Sequence, residues 1–240
     1  MAEFRSRHHN DALLILFGRL PVAGRAKTRL APQLGFDGAA ALYRAFLLGL
    51  VDSSRSLPPM DLVLSIDSAA DVPALEDLLE GEGLIDNAAP KVLAQSDGNL
   101  GDRIAEAVGI GHDAGYRRVA VIGTDHPTLP IKHRIDLVCE KSGRVCVGPT
   151  DDGGIWGISS SGPVDALLAD VRWSTDTVFT DIEAASARAG QSLSLLPPWY
   201  DVDLPGDLER LNADPGLREL APRTARALAV EADRSRSPRS

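Results

Sequence analysis

The strongest constraint on this chain is an alternation along it. Short apolar runs of strand length take turns with longer stretches whose apolar residues recur at helical spacing. Ala12–Gly18 (ALLILFG) is continuously apolar and runs into a turn bearing Pro and Gly. A run with no polar alternation is buried on both faces, as a strand inside a parallel sheet is. Residues 39–51 place Ala39, Leu42, Tyr43, Phe46, Leu47 and Leu50 on one face of a helix. The same reading predicts strands at 62–66, Lys91–Ala94, Arg118–Gly123, 145–147, 155–158 and 193–196. Helices are predicted at 72–79, from Leu100 to near Gly115, at Ile131–Cys139, from Val178 to Gly190, and from Asp207 onward. Parallel neighbours need a helix-length crossover between them, so this order implies a three-layer α/β fold. Its central sheet is mostly parallel, with helices on both faces. In such sheets a ligand sits beyond the carboxyl ends of the strands, so the chemistry is sought in the loops that follow them.

With 240 residues, 44% of them hydrophobic, the chain can bury a full core as one domain, expected over 12–232 between polar tails at 1–11 and 233–240. The formal net charge of −9 argues against gripping nucleic acid, which calls for a basic excess. It leaves room for a small phosphorylated ligand, which needs only a few local cations. No apolar run approaches the ~18 residues of a membrane span, and residues 1–10 lack the apolar segment of a signal peptide. The expectation is a cytoplasmic protein with no membrane partner. Cys139 and Cys146 match no zinc or redox spacing and are expected to be reduced core thiols.

The loop after the first strand holds four cations, Arg19, Arg25, Lys27 and Arg29, around Gly24, where backbone N–H groups can approach a ligand unobstructed. A phosphate chain suits it; a solvated basic turn is the plainer alternative. The nucleotide-binding loop Gly-x-x-x-x-Gly-Lys-[Ser/Thr] is excluded, because Ala26 precedes Lys27 and Pro21 stands at the first Gly. Gly-x-Gly-x-x-Gly is absent too. Strand 118–123 delivers Asp125, which fits either a ligand to a hard cation or the N-cap of the next helix. Asp201 and Asp203 share a face if their segment is extended, and one of them is a candidate second carboxylate. The alternative again is capping, since Asp203, Pro205 and Asp207 would start a helix well. His126 adjoins Asp125 and is open to a ligand-contacting or a structural role. Two acidic, Gly-bearing turns, 151–154 and 95–103, complete the candidates.

Taken in order, the segments FGRLPVAGRAKTRL (17–30), DGNLGDR (97–103), IGTDHP (122–127), GPTDDGG (148–154), WSTDT (173–177) and WYDVDLPGDL (199–208) resemble a bacterial family of glycosyltransferase-A-like proteins. That family is provisionally named as glycosyltransferases and is related to the molybdenum-cofactor and phospholactate guanylyltransferases. The resemblance spans about residues 13–211 and implies the nucleotide-diphospho-sugar transferase fold. It implies that Gly24, Lys27 and Arg29 hold the nucleotide phosphates, with Arg19 of the same cationic loop a further nucleotide-binding candidate, and that Asp97, Gly98 and Leu100 line the base and ribose. It makes Asp125 and Asp203 the ligands of Mg²⁺ or Mn²⁺, and Lys27, Asp125 and Asp203 the catalytic set. It sets Asp152, Gly153, Gly154, Trp173, Ser174 and Thr175 along the acceptor. Two departures stand out: Ile155-Trp156-Gly157 where the family commonly has an aromatic pair, and His126 in place of a smaller residue.

The implied activity is metal-dependent transfer from a nucleotide donor. No residue stands out as a nucleophile, and none is required if the acceptor attacks directly. The cationic loop favours a nucleoside triphosphate, hence nucleotidyl transfer to a small phosphorylated or acidic acceptor. Glycosyl transfer from a nucleotide sugar is the alternative, and a nucleotide-binding module without catalysis a third. A homodimer is compatible with the sequence.

Overall fold

The computed structural model describes residues 11–55, 57, 60–85, 90–139 and 144–236. In chain order the elements are β1 (Ala12–Gly18), α1 (Ala31–Arg55), β2 (Asp61–Ile66), α2 (Val72–Gly81), β3 (Lys91–Ala94), α3 (Leu100–Asp113), β4 (Arg118–Gly123) and α4 (Ile131–Cys139). They continue with β5 (Val145–Pro149), β6 (Ile155–Ser160), α5 (Asp165–Leu168), α6 (Val178–Arg188), β7 (Leu193–Leu195), α7 (Pro205–Ala213), α8 (Leu217–Leu220) and α9 (Pro222–Arg236). One seven-stranded sheet runs β3-β2-β1-β4-β6-β5-β7. β1 pairs in parallel with β2 and β4, β2 with β3, and β5 with β7. β6 alone runs antiparallel, between β4 and β5. The reason is the link: the turn 150–154 is far too short for a crossover, so β6 must fold straight back on β5.

The unbroken apolar runs are explained by helices on both faces. Leu13, Ile15, Phe17, Val119 and Val121 point to α3 and α6, where Ile104, Val108 and Ile182 meet them. Their neighbours Leu14, Leu16, Ala120 and Ile122 point to α1, α2 and α4, against Leu47, Leu79 and Leu137. Each fully buried aliphatic side chain of this kind contributes about 1.5–3 kcal/mol. A third cluster joins Leu30, Leu42 and Phe46 to Val202, Leu208 and Leu211. It clamps the segment before α7 against the start of α1, and so brings the two ends of the domain to one edge of the sheet.

Several expectations change here. α1 is longer than the 39–51 periodicity, because a non-helical Gly35 (φ 71°, ψ 167°) joins a first turn to the main helix. Within Thr28–Arg55 an 18-residue window has the length and mean hydropathy (1.4) of a membrane span, but 61% of that window is buried inside the molecule, where it serves as a core helix. The polar tail expected from 233 is helical as far as Arg236, the end of α9. α9 packs on α1 so closely that a Cβ on Gly38 would lie 2.8 Å from Glu231 Oε2. The remainder of both expected tails, with His8 and His9, lies outside the described residues. Both cysteines are free, but only Cys146 is buried; Cys139 is exposed and is not a core thiol.

Candidate active site

The loop after β1 is wound by its own backbone. Arg25 and Ala26 N–H groups both donate to the Val22 carbonyl, at 3.0 Å each. Gly24 takes φ 78° in this turn. Lys27 is also left-handed, with φ 47° and ψ 41°, a conformation that costs a residue with a Cβ roughly 1–2 kcal/mol. Tertiary contacts hold it there. Its Nζ lies 2.6 Å from Asp125 Oδ1 and 2.5 Å from Asp203 Oδ1, with only 5% of the side chain exposed. The rings of Tyr43 and Phe46 flank the ammonium, with centroids 5.9 and 6.0 Å away.

Asp125 reaches this point from the end of β4. The Thr124 hydroxyl donates to the Phe17 carbonyl (3.1 Å) and pairs with the Tyr43 hydroxyl (2.8 Å), knitting the ends of β4, β1 and α1 together. The Val202 N–H donates to the Asp125 carbonyl (3.0 Å), which brings the loop before α7 alongside. The His126 ring Nδ1 pairs with the Tyr200 carbonyl (3.0 Å). His126 is buried, and its burial pushes its pKa down, so it serves as a neutral structural strut.

The capping alternatives fail for both aspartates. α4 does not begin until Ile131, so Asp125 caps nothing. Before α7 the capping carboxylate is Asp207, which accepts from the Asp203 and Leu204 N–H groups at 2.9 and 2.6 Å. The side chain of Asp203 is thereby left for Lys27.

Arg19, Arg25, Lys27, Thr28, Arg29, Tyr43, Asp125 and Asp203 line one cavity of about 290 Å³. The three residues expected to form the catalytic set therefore share one cleft, beyond the carboxyl ends of β1 and β4. The electrostatics are tightly balanced. Burial works to lower the Lys27 pKa, but the charges and hydrogen bonds of Asp125 and Asp203 hold it above the ordinary value. Burial works to raise Asp125, and the Lys27 charge and hydrogen bond outweigh it, so its pKa is lowered. Tyr43 is pushed up to about 12 by burial and by the Asp125 charge, so its hydroxyl stays protonated. Of the arginines, Arg25 pairs with Asp71 (2.5 Å) and Arg19 with Asp67 (3.7 Å). The arginine ends of both pairs are half-exposed, so water and salt weaken them. Arg29 has no carboxylate partner among the described residues.

The residues expected along the acceptor also assemble. Gly153 has φ 89°, and a Cβ there would lie 1.9 Å from the Asp176 carbonyl oxygen. This close approach seats the 151–154 turn on the 173–177 segment, and the Phe179 N–H donates to the Gly153 carbonyl (2.9 Å). The Asp152 carboxylate accepts from the Thr150 hydroxyl (2.5 Å) and the Gly154 N–H (3.0 Å), shaping the turn. Ser174 is left-handed at φ 65°, and Thr175 Oγ1 donates to the Arg172 carbonyl (2.6 Å). Trp173 packs on Gly101 of α3, where a Cβ would meet its Nε1 at 2.3 Å. Asp97, Gly98 and Leu100 lie at the exposed start of α3, where Arg103 Nε donates to the Gly98 carbonyl (3.0 Å). They do not line the Lys27 cavity. The departing Trp156 is fully buried, with Nε1 donating to the Pro197 carbonyl (3.1 Å), so that change falls in the core.

Asp201 sits between the two groups. Burial first, then the charges of Asp152 and Asp203, push its pKa up to about 6. Sequence reasoning missed Tyr43, which reads as one more apolar residue on the α1 face although its hydroxyl accepts the Arg19 N–H (3.0 Å) in the site. It also missed Asp67 and Asp71, whose arginine partners lie on another loop.

Comparison with known proteins adds three findings. The profile of a family described as "Uncharacterized protein conserved in bacteria (DUF2064)" matches residues 50–175, just over half the chain. The match includes Asp125 and the 151–154 turn, but neither Lys27 nor Asp203. Among curated proteins none matches. A solved structure from Desulfovibrio desulfuricans G20, provisionally named a nucleotide-diphospho-sugar transferase, is 26% identical with a TM-score of 0.79, covering 94% of this chain and 98% of that one. A cytidylyltransferase from Leptospira borgpetersenii serovar Hardjo-bovis (strain JB197) is 12% identical with a TM-score of 0.54, over 95% and 96% of the two chains. A 4-diphosphocytidyl-2C-methyl-D-erythritol synthase from Anaerococcus prevotii DSM 20548 is 11% identical with a TM-score of 0.56, over 84% and 94%. The fold is that of the nucleotide-diphospho-sugar transferases.

Proposed function

The chain belongs to the DUF2064 family, and on that premise we propose that it is a metal-dependent nucleotidyltransferase acting on a nucleoside triphosphate and a small hydroxylated acceptor. One observation carries this reading: a buried lysine and two aspartates from three separate loops meet in a cavity whose other walls carry three arginines. A polyphosphate needs that density of cations. Arg29 is available to it directly, and the half-exposed Arg19 and Arg25 can exchange their carboxylate partners for phosphate oxygens.

The donor set also suits Mg²⁺ or Mn²⁺. Asp125 and Asp203 converge to within two hydrogen-bond lengths of each other and keep 42% and 39% exposure toward the cavity. No group of three or more ligating side chains occurs among the described residues. That composition matches Mg²⁺, which takes one or two carboxylates and completes its shell with phosphates and waters. When bound, the ion supplies positive charge to the phosphates as negative charge grows on the leaving group. The acceptor hydroxyl oxygen would attack the α-phosphorus, its proton passing to water, and the bond from the α-phosphorus to the oxygen bridging to the β-phosphate would break, releasing pyrophosphate. The arginines and Lys27 stabilise that charge, and the loops hold the two substrates in line.

The acceptor side carries Asp152 and Asp201; burial first, then the charges of Asp152 and Asp203, raises the pKa of Asp201. A neutral hydroxyl acceptor fits that field better than the phosphorylated or acidic one expected from sequence. Glycosyl transfer from a nucleotide sugar is the second reading, favoured by the name of the 26%-identical structure.

The test is a panel of nucleoside triphosphates and nucleotide sugars with Mg²⁺ or Mn²⁺, read first by thermal shift and then by product analysis with polyols and sugars as acceptors. The expected result is stabilisation by one triphosphate and release of pyrophosphate. Asp125→Asn should lower turnover by roughly 100-fold or more with the fold intact. Release of a nucleoside diphosphate would establish glycosyl transfer instead, and full activity in Asp125→Asn would remove the metal assignment.

A further inference from the structure

A lysine that only gripped phosphate would turn an unpaired ammonium to the cavity. Lys27 lines the cavity but is 5% exposed, and both of its short hydrogen bonds go to the two carboxylates that open on it. The backbone is held left-handed at this residue, which fixes where the side chain starts. Lys27 takes Oδ1 of both carboxylates, so a divalent ion could approach only through their open Oδ2 atoms, within a few ångströms of the ammonium's like charge, which weakens its binding. The approach is guarded as well, since Arg19, Arg25 and Arg29 on the same cavity repel a bare cation and attract a polyphosphate.

We propose that Lys27 is a built-in placeholder for the divalent cation: it occupies Oδ1 of both Asp125 and Asp203, disfavours binding of the bare ion, and yields the carboxylates when a polyphosphate arrives with the metal. This rests on the reading that these two aspartates are the metal ligands. It goes beyond that reading by fixing the order of assembly. Phosphate oxygens become the new partners of the ammonium, so its charge is never left unpaired. The empty protein is also kept from trapping metal without substrate.

The test uses Mn²⁺ as probe, with the free ion followed by electron paramagnetic resonance, on the full chain. Wild type, Lys27→Met and Lys27→Met/Asp125→Asn are titrated with and without inorganic tripolyphosphate. Without phosphate, Lys27→Met should bind Mn²⁺ at least tenfold more tightly than wild type, and the added Asp125→Asn should abolish that gain. With tripolyphosphate, wild-type affinity should rise and the gap should narrow. Equal affinity of wild type and Lys27→Met for bare Mn²⁺, while wild type binds Mn²⁺ with tripolyphosphate, overturns the placeholder and leaves the transferase reading standing. No Mn²⁺ binding by any of the three proteins, with or without tripolyphosphate, overturns the reading itself. Should Lys27→Met fail to fold in chelator, circular dichroism of it and of Lys27→Ala decides: folding restored by Mn²⁺ supports the proposal, and failure of both at saturating Mn²⁺ refutes it.

Discussion

Replacing Lys27 by Met in metal-free protein isolates the charge at the centre of the site. Met retains an unbranched apolar stem to lie against Tyr43 and Phe46, so packing changes little and the ammonium is what is lost. Breaking a fully buried ion pair by removing one partner costs about 3–5 kcal/mol. Here the carboxylates left behind are 42% and 39% exposed, so water screens them, and the expected cost at pH 7 is about 2 kcal/mol. The pH dependence follows from the direction of the shifts. The pKa of Asp125 is lowered below 3.8 in the native protein, so the stability it contributes is present above that value and is lost as pH falls through the lowered one. In the variant the two carboxylates face each other without a cation and hold protons more tightly. The deficit should therefore be full at pH 7, begin to shrink as pH falls through the variant's raised carboxylate pKa values, and shrink further below 3.8 as wild type loses the Asp125 contribution. On the alkaline side the pKa of Lys27 is raised above 10.5, so the deficit should persist unchanged to at least that pH. Urea denaturation in EDTA near pH 4, at pH 7 and near pH 10 measures both limbs. A variant within about 0.5 kcal/mol of wild type at pH 7, the range of an ordinary surface substitution, would refute the reasoning. So would a deficit that grows on acidification.

Three further outcomes are expected. Gly153→Ala puts a Cβ 1.9 Å from the Asp176 carbonyl oxygen at φ 89°, and should cost about 2 kcal/mol or more. Gly24→Ala shares a positive φ (78°) but has open space around it, and should cost only about 1 kcal/mol, so calorimetry of the two separates close approach from backbone strain. Asp201→Asn should stabilise the metal-free protein at pH 7–8. The native carboxyl titrates at about 6 against an ordinary 3.8, so the native state holds the extra proton between those values and stability falls as pH rises through them. The ceiling is roughly 3 kcal/mol and about 1 is expected after screening, with the advantage gone below about pH 4; a variant less stable than wild type at pH 8 would contradict this. Asp207→Ala should cost about 1 kcal/mol as a lost cap and free the Asp203 N–H, measurable as faster amide exchange at the start of α7.

The strands and most helices were legible because periodicity is carried by neighbours in sequence. Lys91–Ala94 and Arg118–Gly123 end where the apolar pattern ends, and Asp125 follows its strand as the loop rule requires. α9 was not legible: no element was expected over 222–232, because the positions it buries, Thr224, Leu228 and Glu231, include only one apolar residue, so its packed face shows only once α1 is placed beside it. The direction of β6 was readable in principle from the five-residue turn before it, a signal outweighed by the alternation elsewhere. The two capping alternatives could not be separated by spacing, because Asp serves a helix start and a metal equally well. They were decided by α4 starting at Ile131 and by Asp207 capping α7 in place of Asp203.

By itself, then, the order of residues determined a layered sheet with its reactive loops on one edge, and supplied the acids and bases those loops carry. Only the folded molecule decided that Lys27 would meet Asp203, 176 residues away, rather than reach into water. Local pattern records which face of an element is apolar. It does not record which loop ends become neighbours, since that depends on strand order and on packing between residues far apart in the chain.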